Sequence, residues 1–157
     1  MSEAVEILLV EDNPADVRLT VEGLREARIA NNLSSVMDGD SAVEFLQRKG
    51  RYASAPRPDL ILLDLNLPGV DGRSVLKFIK EDPSLKVIPV VIITSSDAES
   101  DIIRSYESHA NCFISKPIDF QGFSCTKSSV ARPTSLALST TAVCASARLT
   151  LAWASVP

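Results

Sequence analysis

Residues 60–72 have the sequence LILLDLNLPGVDG, in which an unbroken apolar run ends in a carboxylate, Asp64. Consecutive aliphatic residues without alternating polar positions are typical of a strand buried on both faces, as in a parallel sheet. The stretch therefore predicts a central buried strand over residues 59–63, with a charged side chain at the point where the strand emerges.

Similar short runs alternate with amphipathic stretches along the first 120 residues. Strands are predicted at 6–10, 33–37, 59–63, 90–94 and 112–115. Asn13 followed by Pro14 is typical of a helix start, and Val17, Val21 and Leu24 then recur at helical spacing. Alternation of strands and helices predicts an α/β fold with a doubly wound, five-stranded parallel sheet.

The other helices are predicted from capping signals and periodicity. Asp38-Gly39 predicts a turn, and residues 41–44 (SAVE) fit a capping box that would begin the second helix. A third helix is predicted over 74–80, ending before Pro83, and a fourth over 99–108. The residues expected to face inward on the third helix are Val75, Leu76, Phe78 and Ile79.

Composition and charge limit the class of protein. A chain of 157 residues with 45 % hydrophobic and 23 % charged residues fits one globular domain. Its apolar runs are too short to cross a membrane, and its acidic N-terminus does not resemble a signal peptide, so a cytoplasmic location is expected. Residues 1–123 hold all 20 acidic residues against 13 Lys and Arg, which disfavours nucleic acid as a partner.

The cysteines give no site. Cys112, Cys125 and Cys144 are odd in number and form no CxxC pair, so free thiols are expected rather than a disulfide or a metal site.

Polar side chains follow four of the predicted strands. Glu11 and Asp12 follow the first strand, Asp64 the third, Thr94 with Ser95 and Ser96 the fourth, and Lys116 the fifth. Because the carboxyl ends of parallel strands lie along one edge, where ligands bind in such folds, we expect these groups to share one cleft.

This set of groups predicts a particular chemistry. Clustered carboxylates repel one another and lose hydration when buried, so they need a cation. Oxygen ligands suit Mg²⁺. Together with the lysine and a hydroxyl, that cation would stabilise the charge on a transferring phosphoryl group.

Each residue also has a structural interpretation when it is taken alone. A single strand-end Asp is commonly a cap or turn residue, Thr94 and Ser95 fit a helix cap, and Lys116-Pro117 fits a turn. The lone histidine, His109, fits a helix C-terminus better than a catalytic role.

The motifs resemble those of the response-regulator receiver domain, the phosphoacceptor of two-component signalling. The resemblance covers residues 4–123 and rests on VEDNPADVRL, PDLILLDLNLPGVDG, IPVVIITSS and ISKP. Longer features, among them RPDLILLDLNLP and SYESHANCF, are most similar to single-domain receivers associated with bacterial phytochrome kinases.

The resemblance implies a role for each matching residue. Asp64 would accept a phosphoryl group from a sensor histidine kinase, and Glu11, Asp12, Asp64 and the backbone carbonyl of Asn66 would hold Mg²⁺. Thr94 and Lys116 would bind the phosphoryl oxygens. The Lys116–Pro117 peptide bond would be cis. Phe113 would be the aromatic switch residue, with core packing as its alternative role.

The last 34 residues depart from the family pattern. Family members close with a fifth helix that also supports homodimers, but residues 124–157 are rich in Ser, Thr and Ala and contain no acidic residue. We therefore expect a frame-shifted or otherwise non-native tail, with a natural disordered extension as the alternative. Loss of that helix would leave apolar surface uncovered.

Other functions remain as alternatives. An aspartyl-phosphate hydrolase of the haloacid-dehalogenase type would need an aspartate at position 66, where this chain has Asn66. A nucleotide-binding protein would need a glycine-rich loop directly after a strand, and none of the predicted strands is followed by one. A non-functional receiver remnant is the third alternative.

Overall fold

The computed structural model of the chain describes residues 4–28, 30–94 and 112–116. Its strands are β1 (Val5–Val10), β2 (Asn31–Val36), β3 (Leu60–Asp64), β4 (Val90–Thr94) and β5 (Cys112–Ser115). Its helices are α1 (Pro14–Glu26), α2 (Gly39–Gln47) and α3 (Gly72–Glu81), with a 3₁₀ turn at Gly50–Tyr52. The helix predicted over 99–108, the Lys116–Pro117 bond, Ser95, Ser96, His109 and the tail 124–157 lie outside the described residues.

The five strands form one parallel sheet in the order β2-β1-β3-β4-β5. The predicted doubly wound α/β fold is therefore confirmed. The chain first moves outward from β1 to β2 and then crosses β1 to continue on its other side at β3. The strand order thus reverses between β1 and β3, and a ligand site is expected beyond the carboxyl ends of these two strands.

Strand β3 is the central strand predicted from the apolar run, and all five of its residues are buried. It pairs with β1 on one side and with β4 on the other. Alternate residues enter two separate cores, with Ile61 and Leu63 facing α2 and α3 and Leu62 facing Leu24 of α1. Burial on both faces therefore fixes the register of β3 and the position of Asp64 at its end.

The structure corrects the predicted starts of β2 and α2. Strand β2 begins two residues earlier than predicted because Asn31 pairs with Val5, and the amide of Asn32 donates to Glu6. Helix α2 begins at Gly39 because Asp38 is its cap. The capping box predicted at 41–44 is therefore wrong, since a turn residue and an N-cap share the same preferences.

Helix α1 also differs from its predicted apolar stripe. Val21 is exposed, and Thr20 is buried in the position expected for an apolar residue. Burial of Thr20 is tolerated because its hydroxyl donates to the backbone carbonyl of Asp16 at 2.8 Å. On α3, by contrast, Val75 and Ile79 are fully buried as predicted. Among the described residues, no helix is both long and apolar enough to span a bilayer.

Gly72 allows the start of α3 to lie against the end of β3. A Cβ atom there would lie 2.2 Å from the backbone oxygen of Asp64 and 2.5 Å from Cα of Leu65. Both contacts are with backbone, which cannot move aside as a flexible side chain can. The glycine therefore sets the position of the loop that carries Asp64.

Replacing Gly72 by Ala is expected to lower the free energy of unfolding by roughly 2–4 kcal/mol, because the loop or α3 must shift. Urea denaturation measures this change. Gly50→Ala is the matched control, because a Cβ atom at Gly50 would have no neighbouring atom within 4 Å and would meet only the strain of a φ of +53°. It should cost only about 1–2 kcal/mol of left-handed strain. Equal losses in the two variants would contradict the close approach at Gly72.

Candidate functional site

The loop after β1 supplies two carboxylates with different exposure. Glu11 is fully buried, whereas Asp12 is exposed. The backbone N–H of Glu11 donates to Val36 of β2 at 3.0 Å, so this residue continues the sheet ladder. Its Oε1 atom accepts from the backbone N–H of Asn13 at 3.1 Å, and the Asn13 side chain in turn caps α1. The position of Glu11 is therefore set by both the sheet and the start of α1.

Asp64 is 3 % exposed at the end of β3. Its Oδ1 atom accepts from the backbone N–H of Asn66 at 2.8 Å, which turns the chain away from the strand. The N–H of Gly72 donates to the carbonyl of Leu65 at 3.1 Å and closes the loop. The carboxylate is consequently held by its own loop, with its second oxygen directed to the cleft.

Lys116, which follows β5, brings a positive charge to these acids. Its Nζ atom donates to Oδ2 of Asp64 at 2.7 Å and to Oδ2 of Asp16 at 2.8 Å. It also lies 2.8 Å from Oε2 of Glu11, although the alignment there does not make a hydrogen bond. One ammonium group therefore faces three carboxylates from three separate elements.

The pKa values follow from this crowding. Burial raises the pKa of Glu11 to about 7, and the negative charge of Asp64 adds to the effect, while contact with Lys116 offsets only part of it. Burial alone would lower the pKa of Lys116, but hydrogen bonds with Asp16 and Asp64 outweigh it and raise the pKa well above its usual value. The lysine is therefore always charged near neutral pH, whereas Glu11 is close to its midpoint.

The carboxylates fit a hard divalent cation. Glu11, Asp12 and Asp64 can each offer one oxygen, and these oxygens lie within 4.8 Å of one another. Within the described part of the chain, Oε2 of Glu11 is a buried oxygen without a hydrogen-bond donor. An oxygen-only set of this kind, open to water at Asp12, is the donor set that Mg²⁺ and similar cations accept.

The structure brings together most of the predicted site residues. Glu11, Asp12, Asp64 and Lys116 lie in one cleft, and Asn66 adjoins it through its backbone. Thr94 ends β4 and pairs with Ser115 in the ladder, directly before Lys116. Phe113 pairs with Ile92. The side chains of Thr94 and Phe113 lie outside the described residues, so their predicted contacts remain predictions.

Sequence reasoning missed Asp16. It lies in the first turn of α1, where an acidic residue is commonly explained by the helix dipole. Its position in the sequence could have indicated the contact, because Asp16 lies one helical turn after the loop that carries Glu11 and Asp12.

The raised pKa of Glu11 predicts how stability depends on pH without a divalent cation. An unfolded Glu has its ordinary pKa of 4.5, so the folded state retains the proton up to about pH 7. The proton on Glu11 therefore contributes to the free energy of unfolding. This contribution is complete below pH 4.5 and is lost as the pH rises through 7, and it amounts to roughly 3 kcal/mol at most.

Urea denaturation in a chelator between pH 5 and 8 measures this loss. Glu11→Gln has no titratable group at position 11, so its stability should fall less than that of the wild type over the same range. The same pH dependence in both proteins would contradict the buried, partly protonated state of Glu11.

Comparison with known proteins agrees with this geometry. Residues 7–124 match the response regulator receiver domain, and the chain belongs to this family. Receiver domains are the signalling proteins of two-component systems that are phosphorylated on aspartate; they bind a divalent metal at an acidic pocket and interact with histidine kinases.

Individual relatives show which members of the family this chain is similar to. Response regulator Rcp1 of Synechocystis sp. is 54 % identical over 110 residues, covering 70 % of this chain and 75 % of the relative. The Mn²⁺-bound form of Rcp1 has 51 % identity and a TM-score of 0.67, over 74 % of this chain and 84 % of the other. The phosphorylated cyanobacterial phytochrome response regulator RcpA has 50 % identity and a TM-score of 0.68, over 76 % and 85 %. The chain is thus similar to phytochrome response regulators.

Proposed function

We propose that Asp64 is the phosphoacceptor of this receiver domain. The observation that carries the proposal is the contact of Lys116 Nζ with Asp64 Oδ2 at 2.7 Å, beside the carboxylates of Glu11 and Asp12. Asp64 is the acid in the cleft that is buried, held by its own loop and hydrogen-bonded to the lysine. It has the fixed position that a nucleophile requires.

The transfer that this geometry supports is a direct displacement at phosphorus. A carboxylate oxygen of Asp64 attacks the phosphorus of a phosphohistidine on the kinase. The new O–P bond forms as the P–N bond breaks, and the electron pair of that bond stays on the imidazole nitrogen. Asp64 becomes an acyl phosphate, and the kinase histidine is released without its phosphoryl group.

Mg²⁺ is the cation proposed for the acidic pocket, and when bound it would neutralise charge on the phosphoryl oxygens. Glu11, Asp12 and Asp64 would hold it through carboxylate oxygens, and Asn66 through its backbone carbonyl. The buried Oε2 atom of Glu11 supports this ligand set, because it contacts the Lys116 ammonium but accepts no hydrogen bond.

Lys116 and Thr94 are proposed to bind the phosphoryl oxygens. Lys116 supplies a permanent charge within hydrogen-bond distance of Asp64. Thr94 ends β4 at the same edge of the sheet, and its hydroxyl would donate to the phosphoryl group. Phe113 is proposed as the switch residue on β5 that responds to this contact. Residues 4–123 would form the receiver, and 124–157 an atypical tail.

We infer that the donor is a sensor histidine kinase of the phytochrome class, because one of the similar proteins above, RcpA, is a phytochrome response regulator. The protein would act in the cytoplasm through protein contacts, as a signalling domain rather than an enzyme with turnover on a substrate. A homodimer would require a fifth helix after residue 116. The proposed roles need neither nucleic acid nor a membrane.

Acetyl phosphate tests the proposal without knowledge of the kinase. The wild-type protein is incubated with acetyl phosphate and Mg²⁺, or with an excess of chelator, and its intact mass is measured. We expect one phosphoryl adduct that requires the cation. The absence of an adduct, or its formation at the same rate in chelator, would overturn the proposal.

A further inference from the structure

Asp16 lies outside the set of residues that the proposed transfer uses, yet it shares the lysine of that set. We propose that Asp16 is a positioning residue that anchors Lys116 beside Asp64, an assignment that rests on the proposed function. Its carboxylate accepts a hydrogen bond from Lys116 Nζ at 2.8 Å, nearly the same distance as that from Nζ to Asp64.

The position of Asp16 is itself fixed by the start of α1. Asn13 caps this helix by accepting from the backbone N–H of Ala15 at 2.9 Å. The buried hydroxyl of Thr20 donates to the backbone carbonyl of Asp16 one turn later. The side chain of Asp16 is only 23 % exposed and that of Lys116 16 %. The ion pair is therefore largely shielded from water, where such a pair is stronger than on an open surface.

The carboxylates around Lys116 differ in what they do during phosphoryl transfer. When Asp64 becomes an acyl phosphate, its carboxyl oxygens lose their negative charge and the new charge lies on the phosphoryl oxygens, so Nζ of Lys116 has to move from the carboxylate to those oxygens. Glu11 is a proposed cation ligand, and its contact with Nζ is not aligned as a hydrogen bond. Asp16 keeps both its charge and its hydrogen bond throughout. Asp16 is therefore the partner that can hold Lys116 in place while Nζ exchanges its hydrogen bond to Asp64 for one to the phosphoryl oxygens.

This contact links α1 to the phosphorylated end of the sheet. Lys116 follows β5 at the end of the order β2-β1-β3-β4-β5, whereas α1 follows β1. A single ammonium therefore connects α1 with the ends of β3 and β5. Without Asp16, that connection would depend on the reacting carboxylate and on a cation ligand.

The first test is spectroscopic and uses the unphosphorylated wild-type protein labelled with ¹⁵N and ¹³C. We expect a scalar coupling across the hydrogen bond between Nζ of Lys116 and the carboxyl carbon of Asp16, in addition to one with Asp64. Coupling to Asp64 without coupling to Asp16 would overturn the assignment. This result is independent of phosphorylation, so it separates a failure of this assignment from a failure of the proposed function.

The second test measures the rate of phosphorylation by acetyl phosphate in Mg²⁺. Asp16→Asn is expected to slow it about tenfold, the size of effect seen when a supporting partner of a site residue is removed. It should also speed exchange of the Lys116 ammonium protons with water. Asp16→Glu, which retains the charge, should restore most of the rate.

Glu22→Gln is the matched control, because it removes an exposed charge from the same helix, about 9 Å further along its axis. It should leave both the rate and the ammonium exchange unchanged. A wild-type rate in Asp16→Asn would show that Asp16 does not position the lysine. The same loss in Glu22→Gln would show that the effect comes from net charge or from the helix. Either result would overturn the proposal.

Discussion

Asp64→Asn is expected to abolish phosphorylation by acetyl phosphate or by a kinase. The amide keeps nearly the same shape and can still accept from the N–H of Asn66 or from Lys116, which are the two contacts that hold Asp64. The amide oxygen is not an effective nucleophile toward phosphorus, however, so the adduct should be absent in the intact mass. Affinity for a divalent cation should fall as well, because one carboxylate of the pocket is lost.

Folding should survive this change, since it also removes one of several mutually repelling charges. Asp59→Asn is the matched control: Asp59 precedes the same strand at the opposite end, is exposed, and accepts from the N–H of Glu6. It should be phosphorylated at the wild-type rate. An adduct that persists in Asp64→Asn would contradict the assignment of Asp64.

Lys116→Met is expected to slow phosphorylation about 100-fold, the effect of removing one fixed charge stabiliser from a transferring group. Methionine retains much of the lysine stem but none of its charge. The same change leaves Glu11, Asp16 and Asp64 without their shared ammonium. In chelator, the free energy of unfolding should therefore fall by roughly 3–5 kcal/mol, as for other broken buried pairs.

A divalent cation should reverse much of this loss of stability. Its binding neutralises the same carboxylates, so Mg²⁺ should raise the Tm of Lys116→Met more than that of the wild type. Thermal denaturation with and without Mg²⁺ measures the difference. Lys77→Met serves as a control, because it removes a lysine from an exposed ion pair: the Lys77 side chain is 75 % exposed, and its Nζ atom lies 3.8 Å from Oε1 of Glu81. An unchanged phosphorylation rate in Lys116→Met would contradict the role of the lysine.

The fold was largely predictable because the strands are short, apolar and buried on both faces. The bounds of β4 and β5 were predicted correctly, and β3 was displaced by one residue. Strand β2 was less predictable because it lies at the edge of the sheet, where Asn31 and Asn32 are tolerated. Apolar periodicity marks a buried strand clearly and an edge strand poorly.

The site was predictable where topology alone brings residues together. Glu11, Asp64 and Lys116 each follow a strand, and the ends of parallel strands share one edge. The contact of Asp16 with Lys116 was not predictable in this way. It depends on how a helix is rotated against the sheet, and the sequence suggested Val21 rather than Thr20 as an inward residue of α1.

The local capping chemistry was ambiguous for a different reason. Asp38, Ser41 and Glu44 all fit the start of a helix, and the sequence favoured the later position. In the structure, Asp38 accepts from the N–H of Ser41 at 2.7 Å and from its hydroxyl at 2.9 Å. A cap is decided by backbone geometry, which residue preferences describe only within a few positions.

The position of the phosphoryl group on Asp64 can be measured directly. The wild-type protein, phosphorylated with acetyl phosphate in Mg²⁺, is treated with borohydride, which reduces an acyl phosphate to an alcohol, and its peptides are then mapped by mass. We expect a reduced side chain at residue 64 and at no other acid of the cleft. Reduction at Glu11, Asp12 or Asp16 in place of Asp64 would contradict it.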